Sequence, residues 1–256
     1  MSIINYFNNS CLINGDSLIE IPKIKSNSIN MIFADPPYFL SNGGISNSSG
    51  RMVSVDKGAW DKAKDKNYIK EFTKGWIVEA HRVLHMDGTI WISGTFHNIF
   101  YVGEVLNELG FKILNIVTWV KDDPPPNLSR RMFTHSAEFI IWAKKSPESR
   151  HYFNYSMMES INNGKQMTDV WQLPHVSKRE KAFGYHPTQK PLELINRIIL
   201  SSTKENDIVL DPFSGSGTTA VAAFKNGRRF IGIEKDINYY NNSLKRLTST
   251  THSSNI

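Results

Sequence analysis

Apolar residues along the chain fall into two kinds of repeat. Short continuous runs end at Ala34 (INMIFA), Ser93 (GTIWIS), Lys121 (KILNIVTWVK), Ala143 (EFIIWA), Asp211 (DIVLD) and Glu234 (RFIGIE), each bounded by turn-forming residues, and they read as buried strands. Between several of them the spacing changes to that of a helix. Residues 69–84 place Ile69, Phe72, Trp76, Ile77, Ala80, Val83 and Leu84 on one face. Further helical patterns run from about 98 to 109, stopped by Gly110, and from about 191 to 201, opened by proline. Strands alternating with helices predict an α/β domain with a mostly parallel sheet covered on both faces.

Two stretches interrupt this rhythm. Residues 41–60, SNGGISNSSGRMVSVDKGAW, are rich in Gly, Ser and Asn and predict a mobile loop. Roughly 122–185 mix PPPNLSRR, scattered aromatics and the basic run SKREK around the strand EFIIWA, as an inserted recognition region would. Within it Phe133 and Trp171 are expected to fill core rather than to wedge into a ligand. The polar terminus TSTTHSSNI is expected to lack order.

Composition narrows the class. The chain has 256 residues, 40% of them hydrophobic, and a single cysteine, Cys11, so an intramolecular disulfide or a cysteine-rich zinc site is excluded. Thirty Lys and Arg against 24 Asp and Glu give a net charge of +6, which permits a polyanionic partner without demanding one. No apolar run reaches membrane-spanning length and the N-terminus lacks a signal-peptide pattern, so a soluble cytoplasmic protein without a membrane partner is expected.

Chemistry concentrates at strand ends. After INMIFA comes DPPY, residues 35–38, at the edge where open parallel sheets bind ligands. An exocyclic amino group is a poor nucleophile because its lone pair is delocalised. Two fixed acceptors, the Asp35 carboxylate and the Pro36 carbonyl, can take both amino hydrogens and turn the lone pair out of plane. Pro36 and Pro37 stiffen the turn and remove competing donors, while Tyr38 offers a face for a flat base. The bland alternative is that the prolines end the strand and Asp35 caps the next turn.

The second chemical block, 207–236, reads as strand, glycine turn, helix and strand. Gly215 and Gly217 let the backbone approach a ligand, and Glu234, 23 residues beyond Asp211, can accept the two hydroxyls of a ribose. The turn is neither a P-loop nor a dinucleotide fingerprint. Alone it is equally a tight turn without ligand; with Glu234 and DPPY it points to a nucleoside cofactor.

FADPPY followed by HPTQKP and DPFSGSGTT, in that order, resembles the beta group of DNA N6-adenine methyltransferases. More narrowly, ADPPYFLSNGGISNSSG, WISGTFHNI and PNLSRRMFTHSAE are similar to the second adenine methyltransferases of Dpn-type restriction–modification systems, whose target is GATC. The resemblance covers nearly the whole chain. It implies a Rossmann-like methyltransferase fold with a seven-stranded, mostly parallel sheet, and S-adenosyl-L-methionine as cofactor. It further implies DNA as partner, duplex or single-stranded, a homodimer, and functional association with a cognate restriction endonuclease. Asp35, Pro36, Pro37 and Tyr38 would be catalytic. The cofactor would meet Asp16, Asp35, Lys190, Asp211, Phe213, Ser214, Gly215, Ser216, Gly217, Thr218, Thr219 and Glu234, although Asp16 equally suits a cap on a helix starting at Ser17. Asn127, Arg130, Arg131, Lys178 and Arg179 would bind DNA. His135 and His186 read as structural or DNA-contacting, and neither belongs to a metal-ligand pattern. Methylation of RNA or of a glutamine side chain, and a DNA-binding module without chemistry, are the competing classes.

Overall fold

The N-terminal hairpin starts a sheet that the rest of the chain extends. The computed structural model describes residues 2–39, 45–48, 51–54, 66–122, 124, 126–184 and 186–253. The order is β1 (Ile3–Phe7), β2 (Ser10–Asn14), α1 (Ser17–Glu20), β3 (Ile29–Ala34), β4 (Ile45–Ser48), β5 (Arg51–Ser54), α2 (Lys66–Val83), β6 (Leu84–Gly94), α3 (Ile99–Glu108) and β7 (Lys112–Val120). It continues with β8 (Ala137–Lys144), α4 (Tyr155–Ile161), β9 (Val170–Gln172), α5 (Leu192–Ser202), β10 (Ile208–Asp211), α6 (Thr218–Lys225), β11 (Arg229–Glu234) and α7 (Ile237–Ser253).

Among the described residues one sheet holds nine strands in the order β1-β2-β11-β10-β3-β6-β8-β7-β9, against the seven expected. The two extra strands lie at the edges: β1 folds back antiparallel on β2, and three-residue β9 runs parallel beside β7. Neither shows a buried-strand signal, because β1 is half exposed and β9 is short. From β2 to β6 every pairing is parallel; β8 is antiparallel to both β6 and β7. β4 and β5 form a separate hairpin. It is the described part of the stretch predicted to be a mobile loop, and the remainder of 41–60 lies outside the described residues.

Strand alternation divides the core into two layers. Met31 and Phe33 pack with α5, α6 and α7 through residues such as Ile195, Val221 and Tyr240. Ile32 and Ala34 face the other way, toward Trp76, Ile77 and Ala80 of α2 and Val102 and Val105 of α3. Truncating the wholly buried Trp76 to alanine would cost about 3–5 kcal/mol. The helical face read at 69–84 is thus the buried face, except that Leu84 already belongs to β6 and α2 passes into it without a loop.

Within 122–185, β8 is a central strand of the sheet and β9 its edge, while α4 packs on α5. Trp171 is core, as expected, but Phe133 is 96% exposed, contrary to expectation. The C-terminal stretch expected to lack order is helical through residue 253, because Leu247 and Tyr240 anchor α7 in the core. Among the described residues no helix is long and apolar enough to cross a membrane.

Candidate active site

All five parallel strands from β2 to β6 point their carboxyl ends at one edge, so the segments that follow β2, β3, β10 and β11 converge there. The turn after β3 is braced by its own residues. Pro36 and Tyr38 are buried, and Phe39 takes a left-handed conformation, φ 55°, which a residue with a β-carbon adopts only when its surroundings compel it. Its ring is held edge-on by Tyr68 and Phe72 of α2, at 5.7 and 5.3 Å. Phe72 and Trp76 in turn touch Phe213, at 6.1 and 5.4 Å. One face of α2 therefore clamps the DPPY turn and the glycine loop together.

The glycine loop needs its glycines. Gly215 and Gly217 have φ of 50° and 75°. A β-carbon on Gly215 would come 3.1 Å from His186 Nε2, and one on Gly217 would come 2.7 Å from Ser243. His186 opens the HPTQKP segment, so the third motif leans directly on the second. Arg246 of α7 locks the loop from behind, donating to Thr218 Oγ1 at 2.9 Å and to the Ser216 carbonyl at 3.3 Å.

Asp35, Lys190, Asp211, Phe213, Ser214, Gly215, Ser216, Thr218 and Thr219 all border one cleft. Gly217 caps α6 immediately behind it. Glu234 accepts the Gly215 N–H and the Asp236 N–H, each at 2.7 Å. Asp16 lies beyond the neighbouring strand end. It caps α1 through the Leu18 N–H at 3.0 Å and pairs with Lys235 at 2.8 Å, so the capping alternative is realised.

Burial sets the acid–base character of the cleft. It lifts the Asp211 carboxyl to about 7, partly opposed by hydrogen bonds from Thr219 and the Phe213 N–H and reinforced by Asp35 and Glu234. Burial also raises Glu234, against the Asp236 and Gly215 N–H groups. Two carboxylates, Asp35 and Asp211, border this cleft, Glu234 lies behind it on the Gly215 N–H, and the buried Ser214 hydroxyl has no partner among the described residues; this set suits a ligand bearing both positive charge and hydrogen-bonding groups. A sulfonium nucleoside with an amino-acid tail has that chemistry.

A second, larger cleft adjoins the first and shares with it His186, Thr188, Gln189 and Lys190. At the boundary Lys190 Nζ donates to Asp35 Oδ2 at 2.6 Å and lies 3.2 Å from the Tyr38 hydroxyl. Tyr38 donates to Asp35 Oδ1 at 2.5 Å and meets Ser93 Oγ at 2.9 Å. Burial and the adjoining Asp35 hold its phenol well above its ordinary value, so it remains a donor. The Tyr38 ring borders the larger cleft but is only 6% exposed; in this arrangement its hydroxyl orients Asp35.

Sequence reasoning missed two groups here. Glu138, at the start of β8, lies 3.3 Å from Lys190 and 2.5 Å from Lys121, which follows β7. Burial would raise its carboxyl, but the two ammonium groups bring it down to about 2. Burial likewise opposes the Lys190 charge, yet Asp35 and Glu138 keep its proton affinity above the ordinary value. The signal available was a charged residue opening an otherwise apolar run, EFIIWA, which reads equally as a strand boundary.

The residues predicted to meet DNA do not enter either cleft. Arg130 and Arg131 are exposed on the turn between β7 and β8, at the same edge of the sheet, and so are Lys178 and Arg179 beyond β9. Asn127 uses its side-chain oxygen internally, accepting from the Ser129 and Arg130 N–H groups at 3.0 and 3.1 Å. His135 stacks on Phe96 at 4.3 Å.

Comparison with known proteins agrees with this geometry. A DNA methylase family model matches residues 29–245. The Type II methyltransferase M2.DpnII of Streptococcus pneumoniae is 55% identical over 94% of this chain and 90% of its own length. M2.LlaDCHI of Lactococcus lactis subsp. cremoris is 55% identical over 93% and 89%. The crystal structure of an M1.HpyAVI–SAM complex superposes with a TM-score of 0.69 at 30% identity, covering 92% of this chain and 98% of that one. With the glycine loop, the DPPY turn and the HPTQKP segment gathered on one cleft of an S-adenosylmethionine-dependent methyltransferase fold, the chain belongs to the N6/N4 DNA methylase family.

Proposed function

We propose that this DNA methylase transfers a methyl group from S-adenosyl-L-methionine to adenine N6 in DNA, within GATC, as the modification component of a Type II restriction–modification system. The observation that carries the reading is the sharing of one cleft by Asp35 and the 211–219 segment, with the larger cleft opening from the same boundary. The smaller cleft suits the cofactor, which when bound supplies an electrophilic methyl on sulfur. Glu234 would hold its ribose, the glycine loop and Phe213 its amino-acid side, and Asp211 its positive charge.

Adenine N6 is engaged in base pairing inside a duplex, so the target base must be extruded at a cost of a few kcal/mol. The larger cleft would receive it. Asp35, oriented by Tyr38, would accept one amino hydrogen and the Pro36 carbonyl the other, leaving the nitrogen lone pair directed at the methyl. The amino proton becomes acidic only as the carbon–nitrogen bond forms, so no separate base with a raised pKa is required before attack. Arg130, Arg131, Lys178 and Arg179 would hold phosphates, with Asn127 bracing the turn that carries the two arginines.

The GATC target is supported by likeness to the named Type II relatives, and so is the expected cognate endonuclease. We place the activity in the cytoplasm, with the DNA. The homodimer expected from the resemblance is checked by sedimentation of the free protein. The decisive experiment incubates the protein with labelled cofactor and a GATC plasmid, then challenges the product with an endonuclease blocked by adenine methylation at that site. Protection, with N6-methyladenine as the labelled nucleoside, is expected. Label in N4-methylcytosine, or in RNA or protein alone, would overturn the reading.

A further inference from the structure

Lys190 is 5% exposed and carries more interactions than a residue closing a cofactor pocket needs. Its ammonium sits at the boundary of the two clefts, hydrogen-bonded to one oxygen of Asp35 at 2.6 Å and ion-paired with Glu138 at 3.3 Å. Glu138 is held by Lys121 at 2.5 Å through its other oxygen. The four side chains form a chain, Asp35–Lys190–Glu138–Lys121, with alternating sign and no net charge, buried at Lys190 and partly exposed at Lys121. Lys121 and Glu138 both border the larger cleft and neither borders the smaller one.

The Watson–Crick edge of adenine presents an amino group beside an unprotonated ring nitrogen, N1. An acceptor and a donor side by side complement that edge. Asp35 supplies the acceptor and Lys190, next to it, supplies the donor. Resting on the proposed adenine methylation, we infer that Lys190 reads the target base by donating a hydrogen bond to N1, and that Glu138, braced by Lys121, is the positioning residue that keeps it there.

Before the base arrives, Lys190 occupies part of the acceptor capacity of Asp35. When the amino group takes up Asp35, Lys190 loses that partner, and Glu138 remains to anchor its charge in the buried site. The bond to N1 lies in the plane of the ring, whereas the attacking lone pair on N6 lies out of it, so recognition and attack use different directions. Bases with an oxygen at this position and a protonated ring nitrogen would put donor against donor and acceptor against acceptor, and are rejected.

The test deletes one atom. Two GATC duplexes are compared, one with adenine and one with 1-deazaadenine, whose N1 is a C–H. Each target base is placed opposite an abasic position so that loss of pairing is equal in both. For the unaltered protein the deletion should lower kcat/KM about 100-fold, because a charged donor is left without its acceptor. Lys190→Met should lose activity on adenine yet discriminate between the two bases by less than about threefold. Lys190→Arg, which keeps a donor, should retain part of the discrimination, and Glu138→Gln should fall between the Met variant and the unaltered protein. Should Lys190→Met fail to fold, judged by thermal melting, Glu138→Gln decides: discrimination equal to that of the unaltered protein overturns the inference. Equal fold losses in the unaltered protein and Lys190→Met, or a rise in cofactor KM alone, would return Lys190 to the cofactor pocket. Absence of methylation on the adenine duplex itself would instead bring down the proposed function.

Discussion

On the parallel side of the sheet Asp211 ends β10 beneath the glycine loop; on the antiparallel side Glu138 opens β8. Both are acids largely withdrawn from solvent at the same edge, yet one carboxyl is lifted to about 7 and the other brought down to about 2. Among the described residues Asp211 has the neutral donors Thr219 and the Phe213 N–H beside it and two further carboxylates nearby, so burial prevails. Glu138 lies between two ammonium groups that outweigh its burial. The parallel half thus keeps an excess of acidic groups, open to a positively charged ligand. The antiparallel half supplies a closed pattern of alternating charge that holds groups in place. Binding chemistry and positioning chemistry are divided between the two kinds of strand pairing.

The largest expected effect strikes the point where the halves meet. Asp35→Ala should reduce methyl transfer by at least about 1000-fold, since the amino group loses its fixed acceptor and its orientation. The fold should persist because Lys190 retains Glu138. Single-turnover rates and a melting curve check both parts, and an active variant would remove Asp35 from the mechanism. Glu234→Ala acts on the parallel half alone. It should raise the cofactor KM about 10- to 100-fold with a smaller change in kcat, through loss of hydrogen bonds to the ribose and of the Gly215 N–H anchor. A reversed split, with kcat falling and KM unchanged, would place Glu234 in the chemical step.

This division also explains what could be read in the sequence. In the parallel half each functional group follows its strand directly: Asp35 comes after Ala34, Phe213 two residues after Asp211, and Glu234 closes β11. Such residues are legible because turn chemistry marks them. Glu138 belongs to β8 and Lys121 follows the antiparallel β7, and what joins them is the β7–β8 register, which pairs Val120 with Ala137. No local pattern records that register. The exposure of Phe133 was likewise hidden, since an aromatic residue in a proline-rich segment reads as buried until the surrounding turn is known. Phe39 shows the same limit for the backbone: nothing in YFLSNGG marks its left-handed conformation.

A smaller effect should come from the rim of the antiparallel half. Replacing Arg130 and Arg131 together by alanine should weaken duplex binding several-fold and make the salt dependence shallower by about 2 in log–log slope, if each contacts one phosphate. Cofactor KM should not move. Titration of a labelled duplex at several salt concentrations measures this, and an unchanged slope would take both arginines off the phosphate backbone.

The smallest effect tests the comparison between the two acids by stability rather than by rate. For Asp211 the folded chain holds a proton up to about pH 7 that the unfolded chain releases near 3.8, so stability falls as pH rises through that window and is level above it. Glu138 works in reverse. Its folded carboxyl ionises near 2 against an ordinary 4.5, so its contribution is complete above 4.5 and is lost as pH falls toward 2. Asp211→Asn keeps an acceptor for the Phe213 N–H and removes the ionisation. Relative to the unaltered protein it should therefore gain stability progressively between pH 4 and pH 7 and hold that gain above it. Glu138→Gln leaves Lys190 and Lys121 without their shared counter-charge, so its deficit should be largest above pH 4.5 and shrink on acidification. Thermal melts of the three proteins from pH 3 to pH 8 measure both slopes. Opposite signs would follow from neutral neighbours on one side and ammonium neighbours on the other; equal signs would mean that burial alone governs both carboxyls.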